Sequence, residues 1–390
     1  MKRFILIRPL FTVIILVAIC TALSCRAAIR RTFFSPQGDV EIAVPPIAFN
    51  STLLRFSAIE IGEAEIRREV DQLLDENFGN QGHYRSISSW RRYDRIDDLS
   101  RSKSSRRLPI QLRSPKYDKL WPEFRKSLRN WFRNKRFQPE IMHDLISLLK
   151  YPLDQHYGFP SSERPYASCA VVGNSGILLK SEHGNLIDSH EIVIRLNNAR
   201  INGFQQHVGS KTSISFVNSN ILHLCSRRLS CFCHPYGENV PIVMYMCQAV
   251  HFMDYAFCNG SHKAPLLVTD VRFDVLCSRI VKYYSLKLFV EETGKPPEEW
   301  GAAHDGSMFH YSSGMQAVML ALGMCEKVSV FGFGKSALAK HHYHTNQKAE
   351  LHLHDYEAEY SFYHDLVENP QVIPFLKDSG FKIPTVVMYH

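Results

Sequence analysis

Short apolar runs recur through the second half of the chain and alternate with helical patterns. The runs cover residues 168–172, 191–196, 213–217, 241–246, 265–269 and 327–333. Such short runs are typical of strands that are buried on both faces of a sheet. Residues 271–292 and 312–324 instead repeat apolar side chains at helical spacing. This alternation predicts an α/β domain with a mostly parallel sheet flanked by helices, whose ligand-binding loops follow the carboxyl ends of the strands.

The first third of the chain has a weaker pattern. Residues 62–77 predict one amphipathic helix. The Ser/Arg-rich run behind it contains too few apolar residues to pack. From Tyr117 onward, apolar residues return at helical spacing. We therefore interpret residues 26–115 as a largely flexible stem and residues 116–390 as the folded domain.

The chain begins with a basic segment that is followed by an apolar one. Lys2, Arg3 and Arg8 precede PLFTVIILVAICTAL, a run of apolar or small residues. The run is short for a plasma-membrane span, but thinner bilayers of the early secretory pathway accept shorter helices. We expect an uncleaved transmembrane anchor at residues 9–25 behind a cytosolic tail at residues 1–8, and a cleaved signal peptide is the alternative. In both cases the bulk of the chain is expected in the lumen.

The formal net charge of +8 is unevenly distributed, and much of the excess lies in residues 85–136. No signature of nucleic-acid binding accompanies these basic runs. One interpretation is a solvated basic stem. The other is attraction of anionic acceptors or lipid headgroups.

Cysteine usage agrees with an oxidising compartment. Beyond Cys20 and Cys25 of the apolar run, the remaining cysteines are Cys169, Cys225, Cys231, Cys233, Cys247, Cys258, Cys277 and Cys325. This number predicts disulfides, although spacing alone leaves their pairing open. Asn50 and Asn259 begin Asn-x-Ser/Thr sequons, which would be glycosylated in the same compartment.

Two glycine- and serine-containing turns could carry chemistry. Residues 173–176, Gly-Asn-Ser-Gly, follow an apolar run and could let backbone N–H groups approach a phosphate. Residues 312–314, Ser-Ser-Gly, lie where a helix begins, a place where hydroxyl groups cap and anions bind. Taken alone, each is also compatible with an ordinary turn or a plain helix cap.

A histidine-rich stretch near the end of the chain is the third candidate. It contains His341, His342, His344, His352 and His354. Imidazoles at this density could bind zinc or move protons near neutral pH, or they could be solvated or buried without function. The stretch lacks the HExxH arrangement and a CxxC pair, so the zinc interpretation has no standard motif behind it.

Taken together, these segments resemble the eukaryotic sialyltransferases, glycosyltransferase family 29. Residues 169–213 resemble the long sialylmotif of that family, and residues 305–333 resemble the short one. His342–Thr345, HYHT, matches the third motif, and His354 to Glu359 fits the terminal H-x4-E pattern. The four motifs occur in the order of the family and span the chain from about residue 166 to its end.

The resemblance implies a type II Golgi membrane protein with a lumenal catalytic domain of the sialyltransferase variant of the GT-A fold. The implied donor is a CMP-activated acidic keto-sugar, which is transferred with inversion to a glycan hydroxyl. Because CMP has a single phosphate, no dication is needed to bridge two phosphates, and the chain contains no Asp-x-Asp. The resemblance therefore implies no metal and no other cofactor.

The resemblance also implies roles for individual residues. His354 carries over as the general base that deprotonates the acceptor hydroxyl, and His342 as the group that stabilises the leaving CMP phosphate. Glu359 is interpreted as a structural or orienting partner, and Cys169 and Cys325 as a disulfide pair. The implied donor-binding residues are Asn174, Ser175, Asn197, Asn218, Ser312, Ser313, Gly314 and Tyr343.

Several positions depart from the usual family pattern. Glu191, Arg200, His207 and Tyr311 stand where Asp, Pro, Asp and Pro are common. Together with the extra cysteines between the motifs, these departures resemble the plant sialyltransferase-like branch. Since plants contain little or no sialic acid, the donor there could be CMP-Kdo or CMP-linked Dha and the acceptor pectic rhamnogalacturonan II. Sialylation of Gal-terminated glycans remains the default activity of the family.

Two alternatives from other functional classes stay open at this point. One is a catalytically inactive lumenal relative that binds CMP or a glycan. The other is a zinc-dependent hydrolase built on the histidine stretch.

Overall fold

The computed structural model describes residues 49–60, 63–75, 119–222, 233–304, 309–334, 336, 339–345 and 354–389. These residues belong to one compact unit, Phe49–His390. Its centre is a seven-stranded sheet in which all described neighbouring strands pair in parallel, in the order β5-β4-β3-β2-β1-β6-β7. The predicted α/β architecture with a parallel sheet and flanking helices is confirmed.

The strands are β1 Cys169–Val172, β2 Ile192–Leu196, β3 Ile214–Asn218, β4 Ile242–Tyr245, β5 Leu266–Val268, β6 Lys327–Phe331 and β7 Thr385–Tyr389. The helices before β2 are α1 Ser51–Ser57, α2 Glu63–Leu74, α3 Trp121–Arg133, α4 Ile141–Leu145, α5 Tyr151–Tyr157 and α6 Gly184–Asp188. The later ones are α7 Gln205–Val208, α8 Phe252–Asn259, α9 Val271–Thr293, α10 Trp300–Ala303, α11 Ser313–Met324 and α12 Tyr356–Glu368.

The central strands are buried as the apolar runs predict. Every residue of β1 and β2 is buried, because helices cover both faces of the sheet. Helix α11 packs on β1, β2 and β3, and its residues from Gly314 to Met324 are buried. Its composition is apolar on all sides, which fits a helix in the middle of the domain rather than at its surface.

The order of the strands creates a crevice between β1 and β6. From β1 the chain runs outward to β5 and then crosses back to add β6 on the other side. At such a switch point, the loops after neighbouring strands diverge and leave room for a ligand. The Gly173–Gly176 turn follows β1 at this point, beside the loop after β6.

The Cys169–Cys325 disulfide predicted from the resemblance is present, with the two Cα atoms 6.0 Å apart. It joins the start of β1 to the residue after α11, just before β6. A second disulfide, Cys233–Cys258, was not assigned from the sequence. Cys247 and Cys277 are free thiols among the described residues, and Cys225 and Cys231 lie outside them.

The structure differs from the predicted boundary between stem and folded domain. Helices α1 and α2 lie inside the segment interpreted as a flexible stem, yet both pack on the domain. Leu53 of α1 belongs to the main core beside α9, and Val70 and Leu73 of α2 are completely buried in a second cluster with α3. The amphipathic helix was correctly predicted, but sequence periodicity did not reveal the surface against which its apolar face packs.

Among the described residues, no helix combines the length and apolar character that a membrane span requires. The predicted anchor at residues 9–25 and the tail at residues 1–8 lie outside the described residues.

Candidate active site

A cavity of about 480 Å³ opens at the carboxyl edge of the sheet. Its walls come from the loops after β1, β2, β3, β4 and β6, from the start of α11, and from the segments that contain the histidines. The predicted site residues that line it are Asn174, Ser175, Asn197, Asn218, Ser312, Ser313, Gly314, His342, His354 and Glu359. Residues that are up to 185 positions apart in the chain are thus brought to one cavity.

Two asparagines line this cavity. The Oδ1 atom of Asn174, two residues after β1, is buried and has no hydrogen-bond partner among the described residues. Asn197, directly after β2, adopts the left-handed conformation with φ of 52°, which asparagine tolerates better than most residues. Its backbone N–H donates to Phe216 O at 2.7 Å, so the turn is held against β3.

Asn218 connects the strand loops to helix α11. Its backbone N–H donates to Asn197 Oδ1 at 3.1 Å, and its Nδ2 donates to Ser313 Oγ at 2.9 Å. Ser175 is also engaged, because its hydroxyl donates to Gly334 O at 3.1 Å and accepts from the N–H of Ile177. These two side chains therefore shape the wall of the cavity.

Close packing around two glycines keeps the backbone near the cavity. A Cβ atom on Gly173 would lie 2.7 Å from Gly332 O, and one on Gly314 would lie 2.8 Å from the ring of Phe333. Real Cβ atoms do not approach so closely, so both positions require glycine. The start of α11 consequently reaches the cavity with its first-turn N–H groups, which favour an anion.

Glu359 of α12 binds the cap of α11. Its two carboxylate oxygens accept from the backbone N–H and the hydroxyl of Ser312, each at 2.5 Å, and Oε2 also accepts from Tyr363 OH at 3.3 Å. Burial raises the pKa of Glu359 to about 7, against the hydrogen bonds from Ser312, which lower it. The Ser312 oxygen in turn accepts from the N–H of Met315 and caps the helix. This geometry supports the orienting role predicted for Glu359 and leaves Ser312 engaged within the protein.

His354 immediately precedes α12 and lines the cavity. Its Nδ1 lies 2.8 Å from the carbonyl oxygen of His310. Because a carbonyl can only accept, Nδ1 carries the proton of the neutral ring, and Nε2 keeps its lone pair. Burial lowers the pKa of His354, and the nearby His341 lowers it further, whereas the bond to His310 raises it. The ring is therefore held as a neutral imidazole, protonated at Nδ1 and basic at Nε2, near neutral pH.

His342 lies in a short row of histidines. Its ring centroid is 4.5 Å from that of His341 and 5.8 Å from that of His344. Burial lowers the pKa of His342 to about 4, and the two neighbouring imidazoles add to this effect. His342 is thus neutral at pH 7 without a ligand, and a bound anion would raise its pKa.

Tyr343 differs from the predicted role in donor binding. Its side chain is buried outside the lining of the cavity, where its phenol donates to Arg200 O at 2.5 Å and its ring contacts Phe204 edge-on. Its backbone N–H donates to Asn174 O at 2.8 Å. Tyr343 therefore ties the loops after β1 and β2 to the histidine segment. In HYHT, Tyr343 lies between His342 and His344 and packs into the protein, whereas His342 lines the cavity.

Sequence reasoning missed a group of lining residues. Tyr245 and Tyr311 stack with ring centroids 5.2 Å apart and form an aromatic floor. Gln248 and His251 follow β4, and His310 holds the predicted base through its carbonyl. The available signal for Tyr245 and Gln248 was their position at the carboxyl end of a predicted strand, which is where the other site residues also lie.

Two further predictions concern metal binding and glycosylation. Within the ranges that the structure describes, no three His, Cys, Asp or Glu side chains are grouped so that they could hold a metal ion. His352 lies outside those ranges. Asn50 and Asn259 are both exposed, Asn50 as the cap of α1 and Asn259 at the end of α8. Their glycosylation stays a prediction.

Comparisons with known proteins identify the family. The model of glycosyltransferase family 29 (sialyltransferase) matches residues 110–370. The chain is 55% identical to "Beta-1,6-galactosyltransferase GALT29A" of Arabidopsis thaliana, over 100% of both chains. It is 49% identical to "Sialyltransferase-like protein 1" of Oryza sativa subsp. indica, over 98% of this chain and 100% of the relative.

A crystal structure of a mammalian sialyltransferase in complex with Gal-beta-1-3GalNAc-ortho-nitrophenol also matches, at 22% identity and a TM-score of 0.37. The match covers 70% of this chain and 82% of that one, and at this score it adds nothing to the assignment. The assignment rests on the family model, which spans most of the described domain, and on the two full-length plant relatives. The chain therefore belongs to glycosyltransferase family 29.

Proposed function

We propose that this protein transfers a sugar from a nucleotide donor to a hydroxyl of a glycan by a single inverting displacement, without a metal ion. The observation that carries the proposal is the convergence of a basic histidine, a second histidine and a helix N-terminus on one cavity. A base for the acceptor and donors for the leaving phosphate are the two requirements of such a reaction.

In the proposed reaction, Nε2 of His354 accepts the proton of the acceptor hydroxyl as the oxygen attacks the anomeric carbon. Because Nδ1 carries the proton and donates it to His310 O, Nε2 is unprotonated and can act as the base. Since burial lowers the pKa of His354, the basic form persists to below neutral pH. The activity should therefore decline only in acid, as His354 becomes protonated.

The leaving phosphate is proposed to bind between His342 and the start of α11. The N–H groups of the first turn of α11 and the ring N–H of His342 are the candidate donors. Asn174 and Asn197 line the same cavity, Asn174 with an unpartnered Oδ1, and are proposed to bind the nucleotide. No general acid is required, because a nucleoside phosphate leaves as a stable anion.

For the sugar, we propose galactose as the first candidate. It is supported by the name of the relative that is 55% identical over the whole of both chains. Nucleotide-activated galactose is α-linked, and a β-linked product then requires one inversion. One base, His354, is sufficient for this stereochemical course.

The second candidate is an acidic keto-sugar from a CMP donor, namely sialic acid, Kdo or Dha. It is supported by the description of the family and by the name of the rice relative. Transfer of Kdo or Dha to pectic rhamnogalacturonan II is the most specific form of this candidate and stays a prediction from the sequence.

We also propose that the protein is a single-pass type II protein of the Golgi membrane, anchored by residues 9–25, with its catalytic domain in the lumen. The apolar run at those residues and the two exposed sequons support the proposal. Glycosidase-sensitive glycans on Asn50 and Asn259 of the full chain would support it, and their absence from both sites would contradict it.

The test is a transfer assay with secreted protein that begins at residue 27, so that α1 and α2 are kept. UDP-galactose, CMP-sialic acid and CMP-Kdo are compared on galactan and pectic oligosaccharides, with and without EDTA. If one donor yields product and the reaction persists in EDTA, the result would support the proposal and identify the donor. Nucleotide binding without transfer from any donor would favour an inactive relative, and loss of transfer with EDTA would contradict the metal-independent mechanism.

A further inference from the structure

A second, larger cavity lies beside the first. It has a volume of about 1050 Å³ and shares Asn174, Asn197, Ile221 and His342 with the first cavity. The rest of its lining comes from the loop after β2, the start of α7, the segment before β3, the loop before β4, and His344 and Thr345. We call this cavity the groove, and the shared residues place it directly against the proposed site of the leaving phosphate.

The groove has the lining of a carbohydrate site. Side-chain amides and hydroxyl groups dominate it, and Tyr236 supplies an aromatic ring. The polar residues outside the shared wall are Asn198, Asn202, Gln205, Ser210, Thr212 and Thr345. Groups of this kind bind sugar hydroxyls by hydrogen bonds, whereas an aromatic ring packs on the apolar face of a sugar.

The groove also contains a permanently cationic group, which the described lining of the first cavity lacks. None of the described residues that line the first cavity is a lysine or an arginine. Arg200 and His344 line the groove next to His342. The guanidinium of Arg200 is exposed and has no ion-pair partner among the described residues.

A hydrogen bond from Tyr343 fixes the backbone of Arg200. The phenol of Tyr343 donates to Arg200 O at 2.5 Å, and Tyr343 lies between His342 and His344 in the chain. Its backbone N–H also donates to Asn174 O. The tether therefore holds the backbone of Arg200 beside the histidine segment, even though its side chain is in solvent.

Two residues that line the groove have buried polar atoms without a hydrogen-bond partner among the described residues. The atoms are Asn174 Oδ1 and His344 Nε2. Buried polar atoms in folded proteins nearly always have a partner, so such atoms in the wall of a cavity point to a ligand. Burial lowers the pKa of His344, and the neighbouring charge of Arg200 lowers it further. A bound anion would reverse this effect.

We propose that the groove binds the substrate and that Arg200 and His344 together bind a second oxyanion of that substrate, beyond the leaving phosphate. This inference rests on the proposed function and specifies its substrate class. The oxyanion has two possible sources, the carboxylate of an acidic sugar in the acceptor or the second phosphate of a nucleoside diphosphate donor. Arg200 is then a residue that determines specificity, and it stands where the family commonly has proline.

The experiment has two arms, both with the secreted chain that begins at residue 27. In the first, calorimetry compares the affinities of UDP and UMP. In the second, transfer to galacto-oligosaccharides is compared with and without a terminal uronic acid. Arg200→Gln and Arg200→Lys are compared with wild type, and Arg164→Gln, an exposed arginine before β1 at the opposite edge of the sheet, controls for net charge.

We expect Arg200→Gln to lower the wild-type preference for the anionic ligand about tenfold in one of the two arms, the size of one charge-assisted hydrogen bond. Arg200→Lys should retain part of the preference, and the effect should weaken as ionic strength rises. The arm that responds identifies the source of the oxyanion. An unchanged preference in both arms, in Arg200→Gln and in Arg200→Gln/His344→Gln, would overturn the proposal.

A pH series separates a direct role of His344 from a structural one. The charged or titratable groups that face His344 are His342 and Tyr343 from its own segment and Arg200 from the loop after β2. Anion binding favours protonated His344, so affinity should rise as the pH falls from 7.5 to 6. His344→Gln should flatten this slope, and Arg200→Gln should keep it. An unchanged slope in His344→Gln would remove His344 from the proposal.

The outcomes for the two proposals are distinguishable. The nucleotide arm measures binding and needs no turnover. If no donor supports transfer, but the preference for UDP over UMP depends on Arg200, the proposed activity fails and the oxyanion site stands.

Discussion

The cavity has two walls that differ in how their polar groups are used. The first, here called the strand wall, consists of Asn174, Asn197 and Asn218 at the ends of β1, β2 and β3. Asn218 is bonded to Asn197 on one side and to Ser313 on the other. The second, here called the histidine wall, consists of His342 and His354. Burial lowers the pKa of both, and neither is part of a comparable network.

The difference indicates that the strand wall binds the nucleotide and the histidine wall takes part in the reaction. The strand wall is held by the bonds of Asn218 to Asn197 and Ser313 and its amides do not titrate, so it can position a nucleotide. A wall of neutral imidazoles can accept or donate a proton, so it can take part in the reaction. Substitutions in the strand wall should therefore change binding and stability, and those in the histidine wall should change turnover.

The largest expected effect is on the histidine wall. In His354→Ala, transfer should fall by at least about 10²-fold because the acceptor hydroxyl loses its base, while nucleotide affinity changes little. Turnover and calorimetric binding are measured on the same preparation. His364→Ala, an exposed histidine of α12, is the matched control and should be neutral. If the transfer rate of His354→Ala were within tenfold of the wild-type rate, another group would have to be the base.

The next effect concerns the disulfide at the start of β1, the strand that precedes Asn174. The Cys169–Cys325 disulfide closes a loop with a separation of 156 residues, compared with 25 for Cys233–Cys258. A disulfide that closes a longer loop removes more entropy from the unfolded chain. Cys169→Ser should therefore lower the free energy of unfolding by about 5 kcal/mol and Cys233→Ser by about 3.5 kcal/mol. Urea unfolding without reductant measures both. The reverse order would show that the entropy of the unfolded chain does not decide the stabilisation by these disulfides.

A smaller effect is expected from the strand wall itself. Asn218→Ala removes the bonds to Ser313 and to the N–H of Asn220, and should cost about 1–2 kcal/mol of stability. Nucleotide binding should weaken, but kcat at saturating donor should stay within a few-fold of wild type. Asn185→Ala, an exposed position of α6, is the control. A large fall in kcat with normal binding would erase the distinction between the two walls.

The last prediction concerns Glu359, which joins α12 to the cap of α11. Its pKa is about 7 in the folded protein, above the ordinary 4.5, so the folded state binds the proton more tightly. The stability from this group is therefore complete below about pH 4.5 and is lost as the pH rises through 7. Glu359→Gln should flatten that part of the profile, measured as the difference in Tm from wild type between pH 4.5 and 8. Parallel profiles for the two proteins would contradict the raised pKa.

Much of the sheet was predictable because its signals are local. Each of the six predicted strands is found within one or two residues of its apolar run, and α11 begins at the predicted cap. The strand β7, Thr385–Tyr389, was missed although Gly380 and Pro384 precede it as turn signals, because it lies at the end of the chain, after the last motif. The packing of α1 and α2 was missed because a helix pattern shows an apolar face but not its partner.

The sequence by itself determined the alternation of strands and helices, the glycines at the crevice, the motif residues and, through them, the family. These properties depend on neighbours in the chain. Only the tertiary structure decided the use of each residue, because burial and hydrogen bonding depend on segments far apart in sequence. It engaged Ser312 with Glu359, turned Tyr343 away from the cavity, lowered the pKa of His342 and His354, and placed Arg200 in a groove beside them.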